Sequence, residues 1–152
     1  MSKPVLGIIG GGQLCSMLTI AAKKENIKII VFSDDKHAPA QKFCDQFICS
    51  NYKDEKSINE FAKICDIVTF EFENIPFETL NKINKIKPVL PKPSVNEIVQ
   101  NRLSEKNFVN KLDIKTTKYV SIKKKSEISL NQDLLPGILK TSTLGYDGKG
   151  QY

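Results

Sequence analysis

The chain has 152 residues, 40% of them hydrophobic and 26% charged, and 23 basic against 17 acidic side chains give it a net charge of +6. Such a composition belongs to a globular protein with one or two cores, and no apolar run approaches the roughly 20 residues of a membrane-spanning helix. Arg102 is the only arginine, and the lysines are scattered among asparagine and isoleucine rather than interleaved with aromatics, so no nucleic-acid surface is expected.

Met1-Ser2-Lys3-Pro4 leads into Val5–Ile9, a short buried-strand pattern and not a secretory signal. Gly10-Gly11-Gly12 follows, then Leu14, Met17, Leu18 and Ala21 at helical spacing, which predicts strand, glycine turn and amphipathic helix. A second strand is predicted over Ile27–Phe32, closed by the turn formers Ser33-Asp34-Asp35. Ser57 and Glu60 form a capping-box pair that predicts a helix with Ile58, Phe61, Ala62 and Cys65 inward, and Asp66–Phe72 follows as a strand. Pro76–Ile86 has the pattern of a helix with proline in its first turn, and Pro88-Val89-Leu90 that of a brief extended piece.

Alternating strands and helices predict an α/β fold with a parallel sheet covered on both faces. Pro91-Lys92-Pro93 is the clearest boundary, which ends the first domain near residue 92. Beyond it, Ser94 and Glu97 predict a second cap and a long helix to about Asp113 carrying Val95, Ile98, Val99, Leu103 and Leu112. Thr116–Ile122 and Gly137–Thr141 have strand patterns, with a mobile loop or short helix over Ile122–Gln132 between them. Two or three strands and one helix are too few for a core of normal size, so residues 93–152 are expected to be the start of a domain that a longer chain completes. Cys15, Cys44, Cys49 and Cys65 lack Cys-x-x-Cys spacing and His37 is the only histidine, so neither a zinc site nor a disulfide framework is expected and a reducing cytoplasm fits best.

Four places carry possible chemistry. The Gly10–Gly12 turn at a helix N-terminus either faces an anion or another polar ligand, or is glycine-rich because the turn is tight. As a dinucleotide fingerprint it is degraded, since Cys15 stands where a third glycine or alanine belongs and only Asp34 or Asp35 offers the acid. Glu71 and Glu73 lie on one side of a strand end, where ligands bind in open parallel sheets, and either touch substrate or help cap the turn with Asn74 and Pro76. Arg102 and Lys106 share a helix face, with a phosphate or Glu105 and solvent to balance them. Lys140 follows Ile138-Leu139 in an apolar strand, where lysine is expected to meet a negative group. Past it, Gly145, Gly148 and Gly150 let backbone N–H groups approach a polyphosphate beside Lys149, without the spacing of a P-loop.

Together, Gly10-Gly11-Gly12-Gln13-Leu14 with Met17, Ala38-Pro39-Ala40, Cys65 to Pro76, the Arg102-Leu103-x-Glu105-Lys106 helix, Lys140 and the run Gly145 to Gln151 resemble the N-terminal part of the N5-carboxyaminoimidazole ribonucleotide synthases, ATP-grasp ligases of purine biosynthesis. The resemblance covers essentially the whole chain. It implies a pre-ATP-grasp (Rossmann-like) domain over residues 1–92 and a linker helix with the beginning of an ATP-grasp domain over 93–152. By the same resemblance, Arg102, Lys140, Gly145, Tyr146, Asp147, Gly148, Lys149, Gly150 and Gln151 contact ATP, and Gln13, Glu73, Tyr146 and Asp147 face 5-aminoimidazole ribonucleotide. The implied reaction consumes ATP and bicarbonate, and releases ADP and phosphate. The acidic Mg2+ ligands are expected beyond Tyr152, so the chain alone is expected to show little or no ligase activity; a homodimer is implied by resemblance alone. The family usually has Gly-Arg where this chain has Cys15-Ser16 and an acid where it has Ser33, which puts a phosphate contact and the packing of the first helix in question. Two alternatives stand beside this reading: another purine-pathway ATP-grasp ligase, and a dinucleotide-binding module of an oxidoreductase.

Overall fold

Four short strands, Val5–Ile9 (β1), Lys28–Ser33 (β2), Gln46–Cys49 (β3) and Ile67–Phe70 (β4), pair in parallel in the order β3-β2-β1-β4. The computed structural model describes residues 2–145 and 148–152. Its chain divides into one compact unit ending at Glu97 and a second over Ile98–Tyr152. In the first, Gln13–Lys24 (α1) connects β1 to β2, and Glu55–Ile64 (α2) connects β3 to β4. Phe77–Asn84 (α3) follows β4, and Val89 adds a parallel bridge to Val68, which is the extended piece expected at Pro88–Leu90.

Alternation along the strands sends neighbouring residues to opposite faces and so makes two cores. Ile9, Ile30, Phe32 and Val68 pack under Ile58, Phe61 and Ala62 of α2 and Leu80 and Ile83 of α3. Ile8, Ile29 and Val31 pack on the other face against Cys15 and Ala22 of α1 and against Ala40. At Gly7, in the middle of β1, a methyl group would lie 2.6 Å from both Phe61 Cζ and Cys65 Sγ, so the glycine lets the phenyl ring close directly on the backbone.

Several sequence expectations are corrected. The face of α1 turned to the sheet is Cys15, Ser16, Thr19 and Ala22, while Leu14 and Met17 are about 60% exposed and Leu18 and Ala21 are also exposed. Small side chains let the helix lie close on the strands, and that closeness outweighs the greater apolarity of the other stripe. The cap of α2 is Asp54, whose carboxylate accepts from the Ser57 backbone N–H at 3.0 Å, so Ser57 lies in the first turn rather than before it. The strand predicted over Asp66–Phe72 ends at Phe70, because Glu71 turns away to the glycine turn described below. Strand β3, four residues long, was too short for its pattern to show.

Asp45 ties this unit together: its Oδ2 accepts from the Ile29 N–H at 2.8 Å and its Oδ1 pairs with Lys23 Nζ at 3.0 Å. The backbone N–H bond to Ile29, then Lys23, holds the carboxyl below its ordinary value of 3.8. A carboxyl lowered in the folded state stabilises above its unfolded pKa and stops doing so as pH falls through the folded one. Asp45→Asn is therefore expected to lower the urea midpoint at pH 6, with the difference from native closing as the pH falls below about 4. An equal difference at pH 6 and in strong acid would contradict this.

In the second unit, the single helix expected to run to Asp113 is broken. Pro93–Val99 (α4), which begins in the first unit, ends before Asn101, whose extended backbone and side chain start Arg102–Lys111 (α5) by accepting from the N–H groups of Leu103 (3.0 Å) and Ser104 (3.2 Å). Val95 and Val99, expected inward, are exposed, and Asn96 is buried with its Nδ2 donating to the Ile75 carbonyl at 2.9 Å. Residues 116–122 form no strand. Their segment is instead held against α5 by side chains, with Lys106 Nζ donating to Thr117 Oγ1 (2.9 Å) and Tyr119 OH to Asn107 Oδ1. The Gly137–Thr141 strand contracts to a bridge at Lys140, and 122–132 holds the short helical turn Lys125–Glu127. Among the described residues, no helix is long and apolar enough to cross a membrane.

Candidate functional site

Reversal of strand order occurs at β1, flanked by β2 on one side and β4 on the other, and open parallel sheets bind ligands outside the carboxyl ends of strands at such a point. Ile9 of β1 stands beside Phe70 of β4, so the Gly10–Gly12 turn and the Glu71–Glu73 segment leave the sheet side by side. Gln13, first residue of α1, and Glu73 are both exposed at this end. Glu71 is half-buried, and its Oε1 accepts from the Gly12 N–H at 3.0 Å. The glycine turn that sequence pattern offered to an anion is thus occupied by a carboxylate of the chain itself.

The room made by the glycines is used internally. A methyl group on Gly10, whose φ is +111°, would lie 2.8 Å from Glu71 Oε1, and one on Gly11 would lie 2.5 Å from Ala38 Cβ and 2.8 Å from Ser33 Oγ. The Glu71 carboxylate on the Gly12 N–H holds a donor that a dinucleotide pyrophosphate would use, which counts against the oxidoreductase alternative. Cys15 and Ser16, in place of Gly-Arg, are accommodated. Cys15 is fully buried, and Ser16 Oγ donates to the Gly12 carbonyl at 3.1 Å. A thiol near a helix N-terminus is ordinarily acidified. Burial, and then the charge of Glu71, instead push Cys15 up to about 12. Burial likewise pushes Cys65 up to about 12. Iodoacetamide at pH 8 is therefore expected to label the exposed Cys49 in the folded chain and to leave Cys15 and Cys65 unmodified until urea unfolds it. Labelling of Cys15 as fast as Cys49 would contradict this packing.

A second constellation lies in the second unit. Leu139 and Tyr152 exchange backbone hydrogen bonds (3.0 and 2.8 Å), Lys140 bridges Gln151 in antiparallel fashion, and the Thr141 N–H donates to the Gly150 carbonyl at 2.7 Å. These contacts make a hairpin whose base is Lys140 and Gln151 and whose loop holds Gly145, Gly148 and Lys149. Positive φ at Gly148 (+78°) and Gly150 (+67°) explains glycine at both. Arg102 anchors the loop to α5: its backbone N–H donates to the Ser142 carbonyl at 2.9 Å, and its Nη2 to the Gly145 carbonyl at 3.4 Å.

Arg102, Lys140, Gly145, Gly148, Lys149, Gly150 and Gln151 are thereby brought to one hairpin and the helix start beside it. Tyr146 and Asp147 lie outside the described residues. Lys106, on the same helix face as Arg102, donates to Thr117 and lies 4.9 Å from the Tyr119 ring centre. Lys140 and its neighbours Ile138 and Leu139 are exposed, not members of a buried strand. Sequence reasoning missed Ser142 and Thr141 as the supports of the loop, and the Asx cap at Asn101 was the one local signal that a helix starts at Arg102. No three His, Cys, Asp or Glu side chains converge among the described residues.

Comparison with known proteins adds four findings. A family model described as the ribonucleotide synthetase preATP-grasp domain matches residues 2–100. The chain is 38% identical to an N5-carboxyaminoimidazole ribonucleotide synthase of Staphylococcus epidermidis, over 96% of this chain and 40% of that protein. It is also 38% identical to the Bacillus subtilis protein of that name, over 97% of this chain and again 40% of the relative. The solved structure of N5-carboxyaminoimidazole synthetase from Staphylococcus aureus complexed with ADP superposes with a TM-score of 0.91 at 33% identity, covering 99% of this chain and 41% of that one. The chain therefore spans about two-fifths of the length of the relatives it matches.

Proposed function

Since the chain belongs to the family of ribonucleotide synthetase preATP-grasp domains, we propose that it is the N-terminal portion of an N5-carboxyaminoimidazole ribonucleotide synthase, a carbon–nitrogen ligase of purine biosynthesis. The observation that carries this reading is the 38% identity running through 96% of the chain. In this reading residues 1–92 are the pre-ATP-grasp domain, and 93–152 are the linker helix and the opening of the ATP-grasp domain.

The γ-phosphoryl group of ATP passes to bicarbonate, giving carboxyphosphate and ADP; the carboxyl group, released as CO2, then bonds to the amino nitrogen of aminoimidazole ribonucleotide, which gives up a proton, and phosphate leaves. Lys140 and Arg102 supply positive charge, and the N–H groups of Gly145 to Gln151 supply donors, to the triphosphate oxygens. Arg102 Nη2 also donates to the Gly145 carbonyl, which holds its guanidinium at the loop. Tyr146 and Asp147 are included in the proposed nucleotide and acceptor contacts on the strength of resemblance alone. Gln13 and Glu73 face the acceptor, which must be held close to a labile mixed anhydride with water excluded. Mg2+ neutralises phosphate charge in this chemistry, and its ligands are assigned to chain outside these residues. The proposed setting is the cytoplasm, where four free thiols are stable, and the proposed assembly is a homodimer.

The test is a chimera in which residues 1–152 replace the matching two-fifths of the Bacillus subtilis relative. The expected result is ADP formation that requires both bicarbonate and aminoimidazole ribonucleotide. A folded chimera that forms no ADP, or forms it with another purine-pathway amine and not with this one, would contradict the assignment.

A further inference from the structure

We propose that Glu71 is a specificity-determining residue that closes the amino end of α1 to anionic groups, so that a substrate meets this turn with its neutral or cationic part. The fold places the turn where an open parallel sheet receives its ligand, and a glycine turn opening into a twelve-residue helix ordinarily receives a phosphate there. Here the place is taken. The Gly12 N–H donates to Glu71 Oε1 at 3.0 Å, and the Glu71 side chain fills the space beside Gly10, where a methyl group would lie 3.0 Å from Cγ and 2.8 Å from Oε1. On the other side Ala38 and Ser33 close over Gly11, whose carbonyl is taken by the Ala40 N–H at 3.1 Å, and the Gly10 N–H is spent on the Phe32 carbonyl at 2.9 Å. A phosphate arriving here would have to displace a carboxylate from the same donor and would be repelled by it meanwhile.

Resting on the function proposed above, the inference orients the acceptor: the amino-imidazole ring of aminoimidazole ribonucleotide, and not its phosphate, faces Gln13 and Glu73. It also assigns the two neighbouring glutamates different work. Glu71 is turned inward to the glycine turn, whereas Glu73 is exposed at the surface of the same strand end.

Inorganic phosphate, titrated into the 152-residue chain and followed by backbone amide NMR, tests this. The native chain is expected to show no saturable shift at Gly11, Gly12 or Gln13, while Glu71→Gln and Glu71→Ala gain one, with at least about tenfold tighter apparent binding at those amides. Glu71→Gln keeps an acceptor for Gly12 and carries the test if Glu71→Ala loses its fold. Saturable phosphate binding at these amides by the native chain would overturn the proposal, as would folded variants that gain none. Phosphate or ATP binding at the hairpin is read at Lys140 and Gly148–Gln151 in the same spectra, so failure of the proposed nucleotide site is distinguishable from failure of this inference.

Discussion

Phe61→Ala lowers the stability of the first unit by about 3–5 kcal/mol in urea unfolding at neutral pH. Phe61 is fully buried, its ring centre lies 5.3 Å from that of Phe32, and its Cζ sits over the bare backbone of Gly7. Truncation to alanine removes the side chain that joins α2 to the middle of the sheet and leaves a cavity lined by β1, which strand backbone cannot collapse to fill. Domains hold about 5–15 kcal/mol in all, so the loss takes a large part of the total. A companion result identifies the contact. Gly7→Ala is strongly destabilising with Phe61 present, because the added methyl group meets both the ring and Cys65 Sγ, and less so in the Phe61→Ala background, where only the Cys65 contact remains. A loss under about 1 kcal/mol for Phe61→Ala, or additive effects of the two changes, would show that α2 does not close on β1 as described.

Lys140→Ala, made in the chimera with the Bacillus subtilis relative, weakens ATP binding by about 10–100-fold, the worth of one charge-assisted hydrogen bond to phosphate. Lys140 is exposed at the base of the hairpin and buries little of itself, so the melting temperature of the variant stays near that of the unchanged chimera. Lys140→Arg keeps the charge and recovers part of the affinity. An ATP affinity within about twofold of the unchanged chimera would remove Lys140 from the nucleotide site.

The parts of the fold legible in the sequence were those set by local pattern. The strand, glycine turn, helix and strand of residues 5–33 follow from apolar runs bounded by turn formers, and Ile58, Phe61 and Ala62 face inward as their spacing indicates. What escaped was decided by tertiary fit. In α1 the stripe Leu14, Met17, Leu18, Ala21 is the more apolar, yet the sheet accepts the small residues Cys15, Ser16, Thr19 and Ala22, a choice that periodicity cannot make. The strand pattern of residues 116–122 has no backbone partner among the described residues and lies along α5 through side-chain contacts instead. At the sites, glycine spacing and Lys140 marked the hairpin, but the tie from Arg102 to Gly145 spans 43 residues and left no local trace. Glu71 was visible as one of two glutamates at a strand end. That its carboxylate occupies the glycine turn, 59 residues earlier, was not.

On the function proposed above, nucleotide phosphate is gripped by the hairpin and not by the glycine turn at α1. Backbone amide NMR of the 152-residue chain titrated with ATP and Mg2+ tests it most directly. Shifts are expected at Arg102, Lys140, Gly145 and Gly148–Gln151, with Gly10–Gln13 unmoved. Shifts at Gly10–Gln13 with the hairpin unmoved would contradict it.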